Sequence, residues 1–68
     1  METRVTSELE IRLLERIPGR VQNLRILRLD GRLIVEGTVR SFHAKQLVTH
    51  AAMELAPQED WVNSLVVE

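Results

Sequence analysis

The stretch Leu29-Asp30-Gly31-Arg32-Leu33, with Leu24, Ile26 and Leu27 before it and Ile34, Val35, Gly37 and Val39 after it, decides the fold. Asp-Gly favours a type I′ turn, because both central residues need a positive φ that Asp tolerates and Gly adopts freely. A two-residue turn over strands 24–29 and 32–39 sets Leu29 opposite Arg32, Arg28 opposite Leu33, Ile26 opposite Val35 and Arg25 opposite Glu36. Side chains alternate along a strand, so the register also sorts them onto two faces. One face carries Leu24, Ile26, Leu33, Val35 and Val39, the cleaner aliphatic alternation, and is assigned to the core. The other carries Arg25, Leu27, Leu29, Arg32, Ile34, Glu36 and Thr38. Gly37, on the core side, is expected to let a helix approach the backbone closely.

Upstream of the hairpin, Ser7-Glu8-Leu9-Glu10 fits a capping box, with Ser7 taking an orphan amide and Glu10 reaching back. The helix it opens, about 8–17, carries Leu9, Leu13 and Ile17 at helical spacing, and Ile11 and Leu14 widen the stripe. Glu8 and Arg12 are placed to pair one turn apart. Pro18-Gly19 ends the helix, because proline disfavours helical geometry in the residue before it. Downstream, Ser41 is the N-cap of a second helix over 42–55. Its narrow stripe is Ala44, Leu47, Val48, Ala51, Ala52 and Leu55, and Pro57 stops it. Trp61–Val67 reads as a last strand, with Trp61, Asn63, Leu65 and Val67 on one face and Val62, Ser64 and Val66 on the other. Joining it to 32–39 through a helix requires a parallel, right-handed crossover. The expected fold is therefore α+β, in the order α-β-β-α-β, a three-stranded mixed sheet with two helices packed on one face. Residues 1–68 make one domain, with 1–6 expected to be a flexible N-terminus.

Sixty-eight residues lie near the lower limit for a single core without staples, and the chain has no cysteine to supply a disulfide or a thiolate metal ligand. Phe42 and Trp61 are the only aromatics, so the core is almost wholly aliphatic. No apolar run nears the roughly 20 residues that span a bilayer, and Met1-Glu2-Thr3-Arg4 opens no apolar leader. As written the chain is expected to be cytoplasmic, or periplasmic if a leader has been trimmed away. Charge is uneven. Residues 1–45 hold nine basic against six acidic residues, a balance of +3, whereas 46–68 hold four acidic residues and no basic one.

These residues together resemble the BON domain family (bacterial OsmY and nodulation). The match runs through Gly31, Leu33, Val35, Gly37, Val39 and Ser41, then Ala44, Ala51 and Ala52, then Trp61, Asn63, Leu65 and Val67. It covers about residues 8–67. The sequence departs from the family pattern at Pro57-Gln58-Glu59-Asp60, where a glycine-valine is usual, and at Trp61, where a small β-branched residue is common. The resemblance implies a small, mostly non-catalytic α+β module of the bacterial envelope, attaching to phospholipid surfaces or to proteins. The family has no agreed binding motif, so it assigns no ligand residue here.

No catalytic residue, metal site or cofactor is expected. His43 and His50 lie seven apart, about 10 Å along a helix, too far to share a tetrahedral zinc. His50 and Glu54 have the spacing of a surface pair. Ser7 and Ser41 are used as caps and Ser64 lies in a strand, which leaves no oriented nucleophile. Nucleic acid is disfavoured: the sheet lacks an aromatic platform for stacking bases, and the net charge is −1. The lead is the outer sheet face. Leu27, Leu29 and Ile34, joined by Val62 and Val66 and flanked by Arg25 and Arg32, make an apolar patch of the kind that marks a contact site. The expected occupant is a partner protein or a second copy in a homodimer, with anionic phospholipid as the alternative because arginines beside aliphatics suit acidic headgroups. Phe42 and Met53, off the main stripe of the second helix, are candidates for a second contact.

Overall fold

The computed structural model describes residues 4, 5 and 7–68, with side chains from Glu8 onward. Six elements follow one another: β1 (Arg4–Val5), α1 (Ser7–Arg16), β2 (Gln22–Leu29), β3 (Arg32–Val39), α2 (Phe42–Leu55) and β4 (Asp60–Val67). The turn behaves as its chemistry dictates. Asp30 and Gly31 both take positive φ, 53° and 76°, and β2 pairs antiparallel with β3 in the register Leu29↔Arg32 through Arg25↔Glu36. β3 and β4 run parallel, so α2 is the crossover between them. The α+β order of two helices and a three-stranded mixed sheet is thus what the chain adopts.

The sheet also has a fourth, two-residue strand. β1 pairs antiparallel with β2, Arg4↔Arg28 and Val5↔Leu27, giving the order β1-β2-β3-β4. Arg4–Val5 thus form a strand within the stretch 1–6 expected to be a flexible N-terminus, and residues 1–3 and 6 lie outside the described residues. The capping box is corrected. Ser7 falls inside α1 and its side chain lies outside the described ones, while Glu10 turns away from the helix and its Oε2 accepts the N–H of Ile26 at 2.8 Å. Odd-numbered residues of β2 bond to β3 from the turn onward, so the Ile26 amide points to the outer edge of β2. A carboxylate meets it there, one rung beyond Val5↔Leu27.

Both helices lie over the inward side of the sheet. Leu13, Ile26, Leu33, Val35, Val39 and Val48 are completely buried, each contributing about 2 kcal/mol of burial. Ile17, Ala44, Ala51, Ala52 and Leu65 complete the cluster, and no polar side chain among the described residues is buried with them. The alanines of α2 are what let its axis come close to β3 and β4. Ser41, in extended geometry, caps this helix by accepting from Ala44 N–H at 3.0 Å. On α1 the stripe is narrower than expected: Ile11 and Leu14 are 58% and 41% exposed, because the helix sits at the β2 end of the layer and buries only the Leu9–Leu13–Ile17 line.

Gly37 serves a different neighbour from the one anticipated. The β2–β3 ladder slips between Gln22 and Arg25, so that Asn23 and Leu24 together oppose Gly37, and Asn23 takes a φ of 56°. This bulge, not a helix, presses on the glycine: a Cβ at Gly37 would lie 2.7 Å from Val21 Cγ2 and 3.1 Å from the carbonyl oxygen of Gln22. Gly37 itself has φ 154°. Gly37→Ala should cost about 2–4 kcal/mol in chemical denaturation, from the clash and the unfavourable φ together. Adding Val21→Ala should recover only the part due to the clash. An unchanged denaturation midpoint for Gly37→Ala would contradict the assigned bulge.

Candidate functional site: the uncovered sheet face

The side of the sheet away from the helices is built rung by rung from the register. Leu27, Ile34 and Val62 stand in one row across β2, β3 and β4. Toward the turn the next row is Leu29, Arg32 and Asp60; away from it the row is Arg25, Glu36 and Ser64. Thr38 and Val66 form the last row on β3 and β4. All seven residues expected at this site, Arg25, Leu27, Leu29, Arg32, Ile34, Val62 and Val66, therefore share one face. Leu27, Leu29 and Ile34 are half-buried by their neighbours, whereas Val62 and Val66 are 36% and 58% exposed. A shallow hollow of about 410 Å³ beside the turn is lined by Leu29, Asp30, Arg32, Ile34 and Val62. No element among the described residues covers this face.

The rim keeps the expected Arg25–Glu36 pairing and adds an acid opposite Arg32. Arg32 Nε lies 3.2 Å from Asp60 Oδ2, within its own row, and both side chains are well exposed. Arg25 stands directly opposite Glu36 in the ladder. Two cations are thus set against two anions around the aliphatic row. The sign bias of the sequence halves disappears locally, because β4 brings Asp60 beside Arg32 and Glu36 of β3 stands opposite Arg25.

Residues outside the expected set tie the ends of the sheet together. Arg28, on the helix side of β2, reaches across β3 and grips Glu59 with both terminal guanidinium nitrogens, at 3.2 Å and 2.9 Å. The hydrogen bonds from Arg28 hold the Glu59 carboxyl below the usual glutamate range, and Glu59 raises Arg28 in return. Trp61 packs beside Leu33 and donates its ring N–H to Ala56 O at 3.0 Å, which anchors the Pro57–Asp60 turn. On the helix layer, Glu8 and Arg12 pair at 2.9 Å as the spacing predicts. Glu54 meets Arg16 of α1 at 3.4 Å rather than His50, a long-range contact that no helical spacing reveals. Phe42, 72% exposed, and Met53 stand three turns apart on α2, on the side of the molecule away from the uncovered sheet face. They are not an extension of it.

Among the described residues no three His, Cys, Asp or Glu side chains are grouped to hold a metal ion, and no helix is long and apolar enough to cross a membrane. No known protein family, curated protein or solved structure matches the chain.

The Arg28–Glu59 grip carries a pH signature of definite sign. Because the folded-state pKa of Glu59 is depressed, its stabilising effect is full above the ordinary glutamate value and is lost as pH falls through the lower folded value. Thermal melts taken from pH 7 downward should show this loss in the wild type. Glu59→Gln should be less stable at pH 7 and should converge with the wild type in acid. Parallel pH curves for the two proteins would rule out a stabilising charge on Glu59.

Proposed function

We propose that this chain is a non-catalytic, BON-like association module whose uncovered sheet face docks against a second copy of itself. One observation carries the reading: no described residue outside the sheet lies over the aliphatic row Leu27–Ile34–Val62, inside a rim that sets two arginines against two carboxylates. An isologous interface requires a self-complementary patch. A rim of Arg25 and Arg32 against Glu36 and Asp60 meets that requirement, since each copy offers both signs. The same cancellation counts against an anionic lipid surface, which calls for cations free of carboxylates. A partner protein of like chemistry would use the same row.

Sedimentation over a dilution series should show reversible dimerisation of the wild type. Ile34→Glu places a charge in the middle of the row and should weaken association by at least about thirtyfold while leaving the circular dichroism spectrum unchanged. Flotation with anionic and zwitterionic vesicles is the companion measurement, and equal, low binding to both is expected. A wild type that stays monomeric at high concentration, or co-flotation with anionic vesicles that Arg25→Ala with Arg32→Ala abolishes, would overturn the proposal.

A further inference from the structure

The outer edge of β4 is the longest open edge of the sheet, since no described strand pairs with it. The Glu68 N–H bonds to Val39 O at 2.8 Å, and the β3–β4 register runs without a slip, so even-numbered residues of β4 face β3. Trp61, Asn63, Leu65 and Val67 consequently turn their backbone N–H and C=O groups to the open edge. The strand between Asp60 and Glu68 is uncharged, rich in β-branched residues and free of proline or a bulge. Such an edge is a template for another strand.

One group on it is already taken. Asn63 Oδ1 accepts the Leu65 N–H at 2.9 Å, and Asn63 Nδ2 donates to Thr49 Oγ1 at 2.6 Å. Thr49 is fixed in turn by donating to Lys45 O at 2.8 Å. The amide side chain is thus held from α2 and pressed onto the edge. Hollows of about 220 Å³ and 310 Å³ flank the Asn63–Thr49 bond, so this bond rather than apolar packing bridges the seam between α2 and β4 at that point.

The edge is best matched by itself. Two β4 strands laid antiparallel about a twofold at Ser64 would form hydrogen-bonded pairs between residues 63 and 65 and between 61 and 67, with Val62 opposite Val66 on the outer face. That arrangement needs the Leu65 N–H that Asn63 occupies. We propose that Asn63 is an edge guard, which withholds β4 from pairing with a second copy of this chain. The role is separate from association through the sheet face, and its test is made with that face disabled.

The experiment uses Ser64→Cys in the Ile34→Glu chain. Ser64 would lie on the twofold in a non-hydrogen-bonded pair, at a spacing a disulfide accepts, and the chain has no other cysteine. Salt is kept high, because the pairing sets Asp60 against Glu68 of the second copy. Adding Asn63→Val frees the Leu65 N–H of both copies, two edge hydrogen bonds about the twofold, and should accelerate disulfide-linked dimer formation by at least about tenfold. A second measurement needs no variant at position 63: in the Ile34→Glu protein the Leu65 amide should exchange with deuterium more slowly than the Val67 amide, although both lie on the same edge. Equal trapping rates with and without Asn63→Val in folded protein, or a Leu65 amide that exchanges as fast as Val67, would overturn the proposal. Failure of the sheet-face reading would appear instead as an unaltered sedimentation profile for Ile34→Glu alone.

Discussion

The left-handed backbone at Asp30 and Gly31 is the constraint from which the rest follows. A type I′ turn matches the natural twist of two strands and allows only one register for them. Once Leu29 faces Arg32, Ile26 must face Val35 on the inward side and Leu27 must face Ile34 on the outward side. The same parity governs the backbone. It sends the Ile26 amide to one border of the sheet, where Glu10 accepts it, and it aligns β3 so that β4 can bond through its even-numbered residues alone. A slip of one residue would exchange core for surface along both strands.

One face stays open because the helix layer lies wholly on the other. Both helices among the described residues are committed to the inward side. α2 lies close because it presents Ala44, Ala51 and Ala52 to the sheet, and that closeness lets Val48 fill the centre of the layer. α1 covers the β2 side with only Leu9, Leu13 and Ile17. Among the described residues no element lies over the second face. Small domains of this kind bury a modest fraction of their surface, and sharing a face raises that fraction.

The parts of this architecture that are legible in the sequence are those set by periodicity and by local capping. The turn, the bounds of β3 and α2, the Ser41 cap and the sorting of Val35 and Val39 inward all depend on residues within a few positions of one another. All seven outer-face residues were legible for the same reason. What escaped depends on contacts across the fold. Glu10 has the spacing of a cap, but the edge amide of Ile26, sixteen residues away, is its actual partner. β1 is two residues long, too short to show alternation. The bulge at Asn23 leaves only a trace, an asparagine able to adopt positive φ. The helical period gave Ile11 and Leu14 to the core, but a ten-residue helix at the end of a layer meets too little surface to bury them. The register showed Glu36 opposite Arg25, but the acid beside Arg32 was invisible, since Asp60 is brought to it only by the parallel crossover.

The two ways in which this sheet could meet another molecule are separated by the alternation of a single strand. β4 gives the side chains of Val62 and Val66 to the uncovered face, and gives the backbone groups of Asn63 and Leu65 to the edge. Asn63 projects toward α2, so its amide works on the edge without touching the apolar row. Side-chain association on the face leaves the ladder of the partner intact and is set by shape and charge. Backbone association at the edge is nearly indifferent to sequence and would propagate from copy to copy. A small domain that leaves one face uncovered therefore has reason to close its border, and the Glu10 carboxylate and the Asn63 amide each occupy a backbone donor on opposite borders of this sheet.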